Sequence, residues 1–200
     1  EGLLSPVETT SMTTQEQKKA LRRQMAAAKA ALSRKEQDAA AALLAERAFE
    51  ALDSHEWRAV MAFWPMADEI DTRPLIWRLR HAGVPVFLPV MEGESLTFRL
   101  FEGEERLAPD PHYGIMQPRA AAPVLPQMVT ESGGAGAAVI TPGVAFAPGG
   151  GRMGRGRGFY DRLFETLPRA WRIGVGFACQ QVDELPTEPH DATMDLLILP

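Results

Sequence analysis

One cysteine, Cys179, stands in 200 residues, so no disulfide can form within the chain. That suits a reducing compartment, and a cytoplasmic protein is expected. No apolar run approaches the ~20 residues that a helix needs to cross a bilayer, so no membrane partner is expected. Glu1 to Thr10 have neither the basic start nor the apolar centre of a secretion signal. Residues 1–12 are expected to be a disordered tail or a non-native extension, with Met12 as the native start, and 13–200 one domain. Basic residues do not predominate: 21 Lys and Arg stand against 26 Asp and Glu, a net charge of −5. That balance argues against broad nucleic-acid affinity, while a local basic loop can still take a phosphorylated ligand. His190 has no cysteine or second histidine near it, which disfavours a structural zinc centre. No internal repeat is evident. What remains, 46% apolar and 24% charged residues, is the composition of a globular protein with a sizeable core.

The organising stretch is Gly149 to Asp161, Gly-Gly-Gly-Arg-Met-Gly-Arg-Gly-Arg-Gly-Phe-Tyr-Asp. An apolar strand, Ala138-Val139-Ile140, precedes it. A helix with Tyr160, Leu163, Phe164 and Leu167 on one face follows. A glycine-rich loop opening a helix offers free N–H groups and the positive end of the helix dipole, an anion site. Arg152, Arg155 and Arg157 add guanidinium groups suited to phosphate. Asp161, in the first turn, can offer oxygen to Mg²⁺ on the same phosphates. The loop lacks the Gly-Lys-Ser/Thr end of the Walker pattern, and its alternating glycines do not match Gly-x-Gly-x-x-Gly. Read alone, it is a phosphate loop, a flexible surface loop or a small RNA-contacting segment.

Thr14-x-x-Gln17 and Ser33-x-x-Glu36 predict capping boxes for two helices, to about Leu32 and Leu52. On the first, Lys18 and Arg22 share a face, which by itself reads as a solvated basic face. Arg58 to Phe63 predicts a buried parallel strand. Asp71 or Thr72 caps a helix that ends at Gly83. Trp64 and Glu69 read as a core aromatic and a helix-entry acid. Val84–Val90 and alternating Leu96, Phe98 and Leu100 predict a hairpin at the sheet edge. Asp110–Pro118 reads as a loop and Ala120–Gly136 as a low-complexity connection. His55 reads as solvent-facing. Arg172–Ala178 and Leu196–Leu199 are the last strands. The recurrence predicts an α/β fold with three layers: a mostly parallel central sheet, helices on both faces, Rossmann-like. Ligands then bind beyond the carboxyl ends of the strands.

Arg152-Met-Gly-Arg-Gly-Arg-Gly-Phe-Tyr-Asp161 resembles the loop Arg-Leu-Gly-Arg-Gly-x-Gly-Tyr-Tyr-Asp of the 5-formyltetrahydrofolate cyclo-ligase family, also called 5,10-methenyltetrahydrofolate synthetases. Pro142-Gly143-Val144-Ala145-Phe146 is similar to the family's Pro-Gly-x-x-Phe. Lys18-x-x-x-Arg22, Asp68-Glu69-Ile70 with Thr72, Tyr113 to Pro118, and His190-Asp191 extend the resemblance over nearly the whole chain. Ala147, where the family often has an acid, and Phe159, where it has tyrosine, depart from it.

The resemblance implies an enzyme that uses ATP and Mg²⁺ to turn 5-formyltetrahydrofolate, polyglutamylated or not, into 5,10-methenyltetrahydrofolate, working as a monomer without nucleic acid. It implies that Lys18, Arg22, Arg152, Met153, Gly154, Arg155, Gly156, Arg157, Gly158, Phe159 and Tyr160 bind ATP. It implies substrate contacts from Trp64, Glu69, Arg155, Gly156, Arg157, Gly158 and Phe159. Arg155 and Tyr160 are the expected catalytic side chains, and Asp161 and Asp195 the expected Mg²⁺ ligands. A non-catalytic nucleotide- or RNA-binding protein is the alternative that Gly-Arg-Gly-Arg-Gly suggests, and the acids Glu69, Asp161 and Asp195 speak against it.

Overall fold

Thr13, one residue before the expected cap, starts the first helix. In the computed structural model, which describes residues 12–200, the Thr13 hydroxyl accepts the N–H of Glu16, and the Glu16 carboxylate accepts the N–H of Thr13. Glutamate answers the cap with a charge at the positive helix end, which Gln17 cannot. The helix, α1, runs Thr14–Ala30, and the expected box at Ser33 and Glu36 starts α2, Arg34–Asp53. The expectation for 1–11 lies outside the described residues.

The chain then follows the predicted alternation. It forms β1 (Ala59–Met61), α3 (Arg73–His81), β2 (Val86–Glu92) and β3 (Ser95–Leu100). Next come β4 (Leu107–Pro109), β5 (Met116–Pro118) and α4 (Gln127–Glu131). The rest is β6 (Ala137–Pro142), β7 (Ala145–Ala147), β8 (Gly151–Met153), α5 (Phe159–Thr166), β9 (Trp171–Val175) and β10 (Leu196–Ile198). Three pieces depart from expectation. The expected loop 110–118 ends in a strand, β5, which pairs antiparallel with β4. The low-complexity connection holds α4, whose Val129 is fully buried. The glycine-rich stretch begins as the hairpin β7–β8, so Arg152 and Met153 are strand residues.

The six-stranded sheet has the order β10-β9-β6-β1-β2-β3, and only β3 runs against its neighbour. Val60, Ala138 and Ile173 face α2 and α3, where Leu44, Ala48, Leu75 and Ile76 are fully buried. Met61, Val139 and Phe87 face α4 and α5, against Val129, Leu163, Phe164 and Leu167. β1 is covered on both faces, and for that reason Ala-Val-Met shows no alternation. Each such leucine or isoleucine contributes about 1.5–3 kcal/mol by leaving water. The three-layer, mostly parallel fold is therefore as expected. No helix among the described residues is long and apolar enough to cross a membrane.

The chain winds from β1 outward to β3, then returns to β6 on the other side of β1 and continues to β10. Strand order therefore reverses between β1 and β6, and a crevice opens beyond their carboxyl ends.

Candidate active site

A cavity of about 640 Å³ fills that crevice. Phe63 and Trp64 line it from the end of β1, Pro89 and Met91 from β2, and Pro142 and Gly143 from the end of β6. The glycine loop and the start of α5 form one side. Lys18 and Arg22 of α1 and the segment with Glu188, His190 and Asp191 form another.

The loop's conformation explains its glycines. Gly158, at φ 68°, is the left-handed cap of α5, a conformation that side-chain-bearing residues rarely adopt. Gly156 has φ 99°, and a Cβ there would lie 3.1 Å from Arg22 Nη2. The turn thus brings its backbone close to α1 and aims the positive end of α5 into the cavity. Arg152 is nearly buried beneath the loop, with its side chain 6% exposed. Its Nε donates to the Pro142 carbonyl at 2.7 Å. Its guanidinium lies 5.2 Å from the centre of the Tyr160 ring and 3.7 Å from Asp161. Burial raises the pKa of the Tyr160 phenol, with Glu69's charge adding to it, so the hydroxyl keeps its proton as a donor. Met153 packs with Met25 and Val144, joining the loop to α1.

The basic face of α1 turns into the cavity, not to solvent. Lys18 is buried, and its Nζ lies 2.6 Å from Glu188 and 3.1 Å from Asp191. Burial opposes its charge, yet the hydrogen bonds it donates to the two acids prevail and raise its pKa. The same bond from Lys18 lowers that of Glu188. Arg22 Nε reaches the Gly154 carbonyl at 3.4 Å. The donor atoms of Glu188, His190 and Asp191 lie within 4.8 Å of one another, but the Lys18 ammonium binds two of the three acids and bases.

Of the two acids expected to bind metal, one lies in the cavity. Asp161 lines it, and its Oδ1 accepts the Ala192 N–H at 3.1 Å. Asp195 is not part of the lining. It precedes β10 at the amino end of the sheet, where Oδ2 accepts the Arg172 N–H at 2.8 Å. Asp191, four residues earlier, lines the cavity instead. Asp161 and Asp191 both line the cavity beside the loop and could each offer carboxylate oxygens to a hard cation.

The other half of the cavity is built around Glu69. Its Oε2 accepts the Met66 N–H at 2.9 Å, and burial raises its pKa. Trp64 lines the same half and tilts against Phe101, with ring centres 5.5 Å apart. Arg155 stands between the halves, 2.6 Å from Asp68 and 3.4 Å from Glu69. Arg157 donates to the Tyr113 hydroxyl and lies 4.6 Å from the centre of its ring. Phe159 lines the wall beneath the Arg162 guanidinium, 5.3 Å away.

Several lining residues were not read from the sequence. The hairpin β2–β3 supplies Pro89, Met91 and Leu96. Their alternation marked strands, but nothing local showed that the hairpin leans over α5. Arg162 makes that contact: Nε and Nη2 donate to the Glu94 carbonyl at 3.1 and 2.6 Å. Asp68 and Glu188 carried no local signal for their lysine partners, which lie far along the chain.

Known proteins similar to this chain point to one family. The model of the 5-formyltetrahydrofolate cyclo-ligase family matches residues 14–200. A Haemophilus influenzae protein named 5-formyltetrahydrofolate cyclo-ligase is 31% identical, over 78% of this chain and 83% of its own. An Escherichia coli K12 protein of the same name is 34% identical, over 70% of this chain and 77% of its own. Among solved structures, Aquifex aeolicus 5,10-methenyltetrahydrofolate synthetase superposes with a TM-score of 0.75 at 25% identity, covering 91% of this chain and 89% of that one.

Proposed function

The chain belongs to the 5-formyltetrahydrofolate cyclo-ligase family and is an enzyme of it, and we propose that it converts 5-formyltetrahydrofolate to 5,10-methenyltetrahydrofolate with hydrolysis of ATP to ADP and phosphate. One observation carries the reading. A phosphate-type loop, with Lys18, Arg22 and Arg152 around it, shares a single cavity with a largely enclosed carboxylate, Glu69, and an apolar wall.

The formyl oxygen is a poor leaving group. Transfer of the γ-phosphoryl group to that oxygen breaks the bond to ADP and gives an imidate-like carbon. The N10 lone pair attacks this carbon, the C–O bond breaks with its electrons leaving on phosphate, and N10 gives up its proton. The chain positions these groups and neutralises charge away from water. Lys18, Arg22, Arg152 and Arg157 hold phosphates, together with the N–H groups from Gly154 to Gly158. Arg155 meets the phosphoryl group in transfer, and the Tyr160 hydroxyl donates beside it. Glu69 accepts N–H donors of the pterin, while Trp64 and Phe159 flank its rings.

Asp161 and Asp191 suit Mg²⁺, because both are hard oxygen donors beside the loop. Bound there, the ion would offset phosphate charge. Asp195 does not fit that role from the amino end of the sheet. The same reading takes the substrate with or without a polyglutamate tail and the working form as a cytoplasmic monomer.

The test is the absorbance of methenyltetrahydrofolate in a mixture of pure protein, ATP, Mg²⁺ and 5-formyltetrahydrofolate. The signal should appear only when all are present. No turnover, together with salt-sensitive RNA binding, would overturn the reading in favour of a nucleic-acid protein.

A further inference from the structure

Lys29 lies in the last turn of α1, buried to 8% exposure and outside the residues that line the cavity. A lysine this far from water needs a partner. Its Nζ donates to Asp68 Oδ2 at 2.8 Å. The other oxygen, Oδ1, accepts from Arg155 Nη2 at 2.6 Å, and the same nitrogen lies 3.4 Å from Glu69 Oε1. One carboxylate thus joins α1, the turn after β1 and the glycine loop.

We propose that Lys29 is a positioning residue, which through Asp68 holds Arg155 at the reacting end of the cavity and keeps its contact with Glu69 long, at 3.4 Å against 2.6 Å to Asp68. Asp68 is about half exposed, so little besides Lys29 and Arg155 fixes its carboxylate. Lys29 fixes one oxygen, which leaves the other directed at Arg155. Burial works to raise the Asp68 pKa, but the bonds from Arg155 and Lys29 prevail and keep it ionised. With Lys29 gone, Asp68 swings toward water and Arg155 closes on its nearest remaining acid, Glu69. Two groups that each face the ligand would then neutralise one another.

The inference rests on the proposed roles of Arg155 and Glu69, so its test has an arm without substrate. Arginine labelled with ¹⁵N and ¹³Cζ reports by NMR how firmly each guanidinium is held. In ligand-free protein the Arg155 signal should be slowed and shifted, and Lys29→Met should move it. In turnover, Lys29→Met should lower kcat about tenfold and raise KM for the folate several-fold, with little change in KM for ATP. Lys29→Arg should restore most of both. In a double-mutant cycle, Lys29→Met should add almost nothing to Asp68→Asn. Should Lys29→Met fail to fold, Lys29→Gln, which still donates a neutral hydrogen bond, is expected to show the same changes at smaller amplitude. An unmoved Arg155 signal, or losses that add in full, would overturn the proposal. A wild-type protein with no turnover but a held Arg155 would sink the functional reading and leave the relay standing.

Discussion

The Asp161 carboxylate accepts the backbone N–H of Ala192 at 3.1 Å, tying the first turn of α5 to the residue that follows Asp191. Asp191 in turn holds Lys18 at 3.1 Å. Loop, helix α1 and C-terminal segment therefore meet at a small group of charges. Asp195 stands apart, bound to the N–H of Arg172.

A Mg²⁺ titration of three variants separates these acids. Asp161→Asn keeps an oxygen for Ala192 but loses the charge. Asp161→Asn and Asp191→Asn should each raise the Mg²⁺ needed for half-maximal rate about tenfold and lower kcat by roughly a hundredfold, the scale of one lost electrostatic contact. Folate binding should survive in both. Asp195→Asn should leave the Mg²⁺ dependence unchanged. A Mg²⁺ response in Asp195→Asn alone would remove Asp191 from the site.

Arg155→Lys keeps the charge and loses the planar guanidinium, whose Nη2 reaches both Asp68 and Glu69. If Arg155 stabilises the phosphoryl group in transfer, the change lowers kcat more than it raises KM for ATP. The expected loss is about 3 kcal/mol, or roughly a hundredfold in rate. Steady-state kinetics with ATP varied at saturating folate measures it, and an effect confined to KM would assign Arg155 to ground-state binding.

Glu188 contributes to stability with a defined sign. Lys18 holds its pKa below the ordinary value of 4.5. The folded state therefore favours the ionised form, and this gain is present above 4.5 and lost as pH falls through the lowered value. Glu188→Gln should melt below wild type at neutral pH, and the two curves should converge as the solution is acidified. A difference in Tm that persists at low pH would assign the effect to packing.

Glu69 carries the opposite sign, because burial raises its pKa above 4.5. The protonated form favours the fold, so this contribution is complete below 4.5 and lost as pH rises through the raised value. Glu69→Gln should therefore melt at or above the wild-type temperature at pH 7, while its folate affinity falls roughly tenfold or more. Calorimetry and folate titration on one sample check both. A variant less stable at pH 7 with unchanged affinity would make Glu69 a structural acid of the turn.

Much of this molecule is legible residue by residue. Apolar spacing marks the helices and strands, because each period is set by the local backbone. Glycines and arginines between β6 and α5 mark an anion site, because a tight turn at a helix start needs no distant partner. Lys18 and Arg22 were visible as neighbours on α1, and the family resemblance, not their spacing, marked them as site residues. The first cap fell one position from its expected place because two overlapping boxes differ only in Glu16 against Gln17.

What the sequence by itself determined is the order of elements and the anion-binding character of Gly149 to Asp161, which follow from contacts within a few residues, and the three-layer class, which follows from the recurrence of helix and strand. Only the tertiary structure decided which acids share the cavity. Asp191 and Asp195 both precede the last strand within a few residues, but the chain runs from the cavity to the amino end of the sheet between them, and a parallel strand fixes which end is which. It also decided that Lys29 meets Asp68 across 39 residues and that Arg155 meets Asp68 across 87. Such pairs depend on how helices and loops pack around the sheet, and no local period or motif encodes that distance.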